Sequence, residues 1–141
     1  MVAKWILTED DSARARHFYR ACIQANEQLV APHLLASEVT NILKQRMRRG
    51  QHPLTLAEAM DLLRQFLRLP VELPAPLGLY ESALALADSE NLPAAHDANY
   101  LALAQLTGSR FWTADERLFR AVTHRLPFVH WIGEYRGALS E

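Results

Sequence analysis

Residues 94–109 read AAHDANYLALAQLTGS, and the fold follows from what this stretch has to be. Ala98, Tyr100, Leu101, Ala102, Leu103, Ala104 and Leu106 fall on every side of a 3.6-residue helix, which predicts a buried central helix rather than a surface one. Gly108 suits the position just past a helix end, where a left-handed backbone is needed. Asp97 sits in the first turn, where free amides and the helix dipole stabilise a carboxylate by roughly 0.3–1 kcal/mol. On this stretch alone Asp97 is equally a helix-terminal charge or a functional acid. The positions of the other acids bear on the choice.

Working outward, short apolar runs alternate with helical patterns. Residues 2–7 read as a strand that begins abruptly at Met1. Cap-type residues at 8–11 open a helix to about Asn26, with Ala15, Phe18, Tyr19, Cys22 and Ile23 at helical spacing. A second strand is expected at 28–31, ended by Pro32. Residues 34–49 form an amphipathic helix with Leu35, Val39, Ile42, Leu43 and Met47 inward and Gly50 beyond its end. Thr55-x-x-Glu58 is a capping box opening a helix to about Leu69. A third strand follows at 71–73, then a helix at 77–89. After the central helix come a fourth strand at 110–112, a second capping box at Thr113-x-x-Glu116 with a helix to about His124, and a fifth strand at 128–132. The last residues read as a short helical turn or a frayed tail. Strands alternating with helices predict an α/β fold, a parallel sheet of about five short strands covered on both faces. No repeat, linker or low-complexity tract divides the chain, so one domain spanning 1–141 is expected.

Composition narrows the function. The 141 residues are 50% apolar, enough for a substantial core, and the net charge of −1 provides no global field toward nucleic acid or anionic lipid. Any nucleic-acid contact has to be local. The single cysteine, Cys22, excludes an intrachain disulfide, and its place in an apolar helical pattern reads as buried filler. No apolar run approaches the roughly 18 residues of a membrane span, and the start lacks the basic and apolar regions of a signal peptide. A cytoplasmic protein is expected.

In folds of this class ligands bind beyond the carboxyl ends of the strands. Asp115 lies a few residues past the fourth strand, at a helix start. Glu38 lies one turn into the helix after the second strand. Asp97 opens the central helix. Three acids can thus meet at one sheet edge. Leu34, Glu38 and Ile42 are spaced i, i+4, i+8, so Glu38 borders an apolar stripe, where a carboxylate is costly unless paired or metal-bound. It could also curl to solvent or meet Arg46. Asp115 could equally be a routine acid inside the capping box.

These residues carry a resemblance. His96-Asp97-Ala98-Asn99-Tyr100-Leu101-Ala102-Leu103-Ala104 resembles the central acidic helix of PIN-domain proteins, especially VapC-type toxins. Val30-Ala31-Pro32 followed by Leu34-Leu35-Ala36-Ser37-Glu38-Val39-Thr40-Asn41 resembles the second acidic motif of that family. Trp112-Thr113-Ala114-Asp115-Glu116-Arg117-Leu118 resembles the third. The likeness covers nearly the whole chain, in order and in register. It implies a three-layer α/β/α sandwich around a parallel sheet, and Mg²⁺- or Mn²⁺-dependent endonucleolytic cleavage of RNA. It implies that Glu38, Asp97 and Asp115 are metal ligands and catalytic, with Thr113 a supporting hydroxyl. It further implies a homodimer neutralised by a small antitoxin whose tail enters the acidic groove. Clustered carboxylates repel and raise one another's pKa, and a hard divalent cation relieves that repulsion.

The chain departs from the family pattern at its first strand, where an aspartate in a motif like V-D-x-S has no counterpart. Asp10 and Asp11 lie too far along to replace it. We expect the full reading frame to supply that aspartate upstream of Met1, and the 141-residue chain to bind Mg²⁺ weakly and cleave RNA poorly. Two alternatives stand beside the nuclease: a PIN-fold interaction module without catalysis, and a metal-dependent phosphoesterase on a similar fold.

Lys44, Arg46, Arg48 and Arg49 form a local basic cluster, either cations suited to a helix C-terminus or contacts to RNA phosphate. The six histidines form no zinc-spaced pair. His96 could hydrogen-bond substrate or acid, or simply lie at the surface. Trp5, Trp112 and Trp131 are expected in the core.

Overall fold

Short apolar runs form strands and the intervals between them form helices, in a computed structural model that describes residues 12–50 and 52–137. The order is α1 (Ser12–Gln24), β1 (Leu29–Val30), α2 (Leu34–Arg46), α3 (Leu56–Leu67), β2 (Val71–Glu72), α4 (Leu79–Ser89), α5 (Ala95–Thr107), β3 (Phe111–Thr113), α6 (Glu116–Val122) and β4 (Val129–Trp131), with a 3₁₀ turn at Ile132–Glu134. None of the helices described is long and apolar enough to cross a membrane.

The strands are parallel, as the alternation with helices requires, but they do not form one five-stranded sheet among the described residues. They form two separate ladders. In one, Leu29 is opposite Val71 and Val30 opposite Glu72. In the other, Phe111, Trp112 and Thr113 are opposite Val129, His130 and Trp131. The strand expected at 2–7 lies outside the described residues, as does Trp5. Punctuation explains the short first ladder. The Ala31 amide still donates to the Glu72 carbonyl at 2.9 Å, and Pro32, with no N–H, ends the pairing.

Neighbouring strand residues face opposite ways, and the core divides accordingly. Leu29 and Trp112 pack with Phe18 and Cys22 of α1 and with Ile132 and Tyr135. Val30 packs with Leu79 and Ala83 of α4 and Ala98 and Ala102 of α5. Phe111 packs with Leu101 of α5 and Leu118 and Val122 of α6. A further cluster joins Leu35, Val39 and Leu43 of α2 to Ala59 and Phe66 of α3. The central helix is enclosed over much of its circumference, with Ala98, Asn99 and the run Leu101, Ala102, Leu103, Ala104 all buried, but Tyr100 is half-buried and Leu106 is exposed. Gly108 ends it at φ 65°, and the Ser109 amide returns to the Ala104 carbonyl at 2.9 Å.

Several boundaries differ from expectation. α2 stops at Arg46 instead of Arg49, because the amides of Arg48 and Arg49 both turn back to the Gln45 carbonyl at 3.0 Å. α4 starts at Leu79, not at residue 77, and Leu77 is left fully exposed. Trp112 and Trp131 are half-buried rather than enclosed. The capping box at Thr55 forms in full, with the Thr55 amide donating to Glu58 Oε2 at 2.8 Å and the Glu58 amide to Thr55 Oγ1 at 3.3 Å. The second box does not form. Thr113 is still the last residue of β3, and Asp115 caps α6.

Candidate functional site

The site begins where β3 ends. Thr113 is buried, held in the ladder opposite Trp131. Its Oγ1 accepts from the Asp115 amide at 3.0 Å, which turns the chain out of the strand. Asp115 Oδ1 then accepts from the amides of Arg117 and Leu118 at 2.9 and 3.0 Å. A carboxylate suits this place because the first amides of a helix have no partners of their own. The cap uses one carboxylate oxygen and leaves Oδ2 outside it.

Asp97 enters from the first turn of α5, preceded by Ala94, an extended residue without a side-chain cap. Its carboxyl is held above the ordinary range, first by partial burial and then by the negative charge of Asp115, while His96 acts the other way. Two helix starts from different parts of the chain thus bring two carboxylates within electrostatic reach of each other.

Glu38 comes from α2. It neither turns to solvent nor meets Arg46. Its Oε2 accepts from the Tyr100 hydroxyl at 2.5 Å, a contact between half-buried side chains that offsets the desolvation of a carboxylate beside the apolar stripe. The Tyr100 hydroxyl is pushed far up by burial, by its bond to Glu38 and by the charges of Glu38 and Asp97. Tyr100 follows Asp97 by three positions, so both lie on one face of α5.

Glu38, Asp97, Thr113 and Asp115 line one cleft between the two ladders, together with Tyr100, Arg110 and Arg117. Arg110 also forms a loose ion pair with Glu27 at 3.5 Å. Lys44, Arg46, Arg48 and Arg49 do not line the cleft; they sit at and beyond the C-terminal end of α2. Tyr100, Arg110 and Arg117 are cleft residues that the sequence pattern did not single out. For Tyr100 the signal was available in its i+3 spacing from Asp97. For the arginines nothing local distinguishes them from solvated charges.

The donors are all hard oxygens, the kind Mg²⁺ and Mn²⁺ take, and the coupled pair Asp97 and Asp115 suits a divalent cation. Among the described residues no group of three or more His, Cys, Asp or Glu side chains is close enough to hold a metal ion. The three acids share a cleft without closing on a point. Cys22 also borders this cleft, but burial pushes its thiol up to about 11, so it stays protonated and inert.

No curated protein matches the chain. Residues 2–124 match the PIN domain family, whose members are generally metal-dependent nucleases, and the chain belongs to that family.

Proposed function

We propose that this protein is a Mg²⁺- or Mn²⁺-dependent endoribonuclease, the VapC-type toxin of a toxin–antitoxin pair. The observation that carries the reading is that Glu38, Asp97 and Asp115 line one cleft, where burial and then the charge of Asp115 hold the Asp97 carboxyl above its ordinary range. Carboxylates brought together against their own repulsion have a use for a cation. Glu38, Asp97 and Asp115 would hold it through oxygen, and Thr113 would keep Asp115 in place. A metal bound there would supply a water of lowered pKa and charge neutralisation at the phosphate.

The residues of the chain do the rest. Arg110 and Arg117 border the cleft, and their guanidinium groups would donate to phosphate oxygens there. The basic end of α2, Lys44 to Arg49, meets a more distant part of the RNA backbone, where contacts set affinity and not sequence. We further propose that the protein is cytoplasmic, that it pairs with a second copy through its exposed apolar helices, and that a small antitoxin covers the acidic cleft.

One observation favours a second reading, a PIN-fold interaction module without catalysis. Glu38 Oε2 is engaged by Tyr100 and Asp115 Oδ1 by the α6 amides, so each has one oxygen already committed. A comparison of substrates separates the readings. The protein is incubated with single-stranded RNA and, separately, with a small phosphoester, each with Mn²⁺ or with EDTA. Cleavage of RNA alone, abolished by EDTA, supports the nuclease. Turnover of the small ester makes it a phosphoesterase, and no turnover of either supports the module.

A further inference from the structure

Tyr100 joins two helices that carry different acids. Its hydroxyl reaches Glu38 on α2 at 2.5 Å, while its backbone lies one turn beyond Asp97 on α5. The ring has little freedom. On one side it packs against the cluster of Leu35, Val39 and Leu43. On the other it lies against Phe111 of β3, with ring centres 5.9 Å apart. A tyrosine has two side-chain torsions, and packing from two elements holds both, so the hydroxyl has one place to be. Glu38 is the opposite case. It has three torsions, and the bond from Tyr100 is the one hydrogen bond given to its carboxylate among the described residues. That bond occupies Oε2, and Glu38 lines the cleft.

We propose that Tyr100 is the positioning residue of the acidic cluster: its hydroxyl fixes the Glu38 carboxylate on the cleft where Glu38 and Asp97 would hold a divalent cation. This rests on the metal-dependent reading above. The bond acts on Glu38 in the way that outer hydrogen bonds orient metal ligands generally, and losing such a partner typically costs about 10–100-fold in metal affinity.

The test is Mn²⁺ binding to the full chain, followed by electron paramagnetic resonance of the free ion, for the protein as it stands and for Tyr100→Phe, Asp97→Asn, Glu38→Ala and the double variant Tyr100→Phe/Glu38→Ala. Phenylalanine keeps the ring and its packing and removes the hydroxyl alone. The proposal expects Asp97→Asn to lose binding and Tyr100→Phe to weaken it by about 10–100-fold. It also expects Tyr100→Phe to add nothing once Glu38 is alanine, since the two effects are one. That comparison within the Glu38→Ala background separates positioning from a general loosening of the fold, which would weaken both backgrounds alike and overturn the proposal. If Asp97→Asn loses binding while Tyr100→Phe retains it, the metal site stands and the role of Tyr100 falls. If the unaltered chain and Asp97→Asn behave alike, the metal site itself falls, and the proposal with it.

Discussion

The amide of Asp115 donates to Oγ1 of Thr113 at 3.0 Å, and this one bond turns the end of a strand into the start of a helix. It gives Asp115 two separate roles. One oxygen caps α6, while the charge acts across the cleft on Asp97.

The two roles of Asp115 respond differently to substitution. Asn is as good an N-cap as Asp, whereas Ala loses the cap at a cost of about 0.5–2 kcal/mol. We expect Asp115→Asn to unfold in urea near the wild-type midpoint and Asp115→Ala to be less stable by about 1 kcal/mol. Both should lose metal-dependent RNA cleavage. Equal stability of the Ala variant and the wild type would mean that the cap contributes nothing; full activity of Asp115→Asn would remove the charge from the mechanism.

The stability of Asp97→Asn depends on pH with a definite sign. In the folded protein the Asp97 carboxyl is raised by burial and by Asp115, whereas in the unfolded chain it titrates near the ordinary value of about 3.9. The ionised form therefore disfavours the folded state. That penalty is fully present above the folded-state pKa, fades as pH falls through it, and is gone below the unfolded value. Metal-free Asp97→Asn should melt above the wild type at neutral pH, and the gap should close in acid. A lower melting temperature for the variant at neutral pH would make Asp97 a stabilising helix-end charge.

Gly133 is required by a close approach. A Cβ there would run into the six-membered ring of Trp131, whose indole stacks on Phe119 of α6. Displacing that ring by overpacking costs about 1–3 kcal/mol. Gly133→Ala should show this as a lower urea midpoint. An unchanged midpoint would show that the indole has room to move.

The exposed face of α4 is tested by sedimentation. Tyr80 and Leu84 lie at i and i+4 and are 65% and 68% exposed, which makes them the natural centre of an apolar contact between copies. The protein should sediment as a dimer at low and high salt alike, and Leu84→Lys should shift it to monomer. A wild-type monomer at micromolar concentration under both conditions would contradict the proposal.

Local chemistry was legible in the sequence wherever neighbouring residues decide the structure. The Thr55 box, the stop at Gly108 and the inward set Leu35, Val39 and Leu43 each follow from spacing alone. The box read at Thr113 failed because T-x-x-E records only spacing. Cross-strand pairing with Trp131 keeps Thr113 in β3 and passes the cap to Asp115. Which of the described strands pair with which was hidden for a similar reason, since runs of two or three residues carry no information on which neighbour they choose. Glu38 was recognisable as a carboxylate in a costly place, but its partner was not. Tyr100 is remote in sequence, and only tertiary packing brings the two together.

The measurement closest to the central claim is cleavage of an end-labelled single-stranded RNA by the unaltered chain and by Asp97→Asn, prepared identically and assayed with Mg²⁺ or Mn²⁺ and again with EDTA. As a proposed metal ligand, Asp97 should be worth at least the roughly 10–100-fold typical of a ligand's outer partners. The unaltered chain should cleave the RNA, EDTA should abolish that cleavage, and Asp97→Asn should lack it while remaining folded. Equal cleavage by both proteins, or cleavage that persists in EDTA, would contradict it.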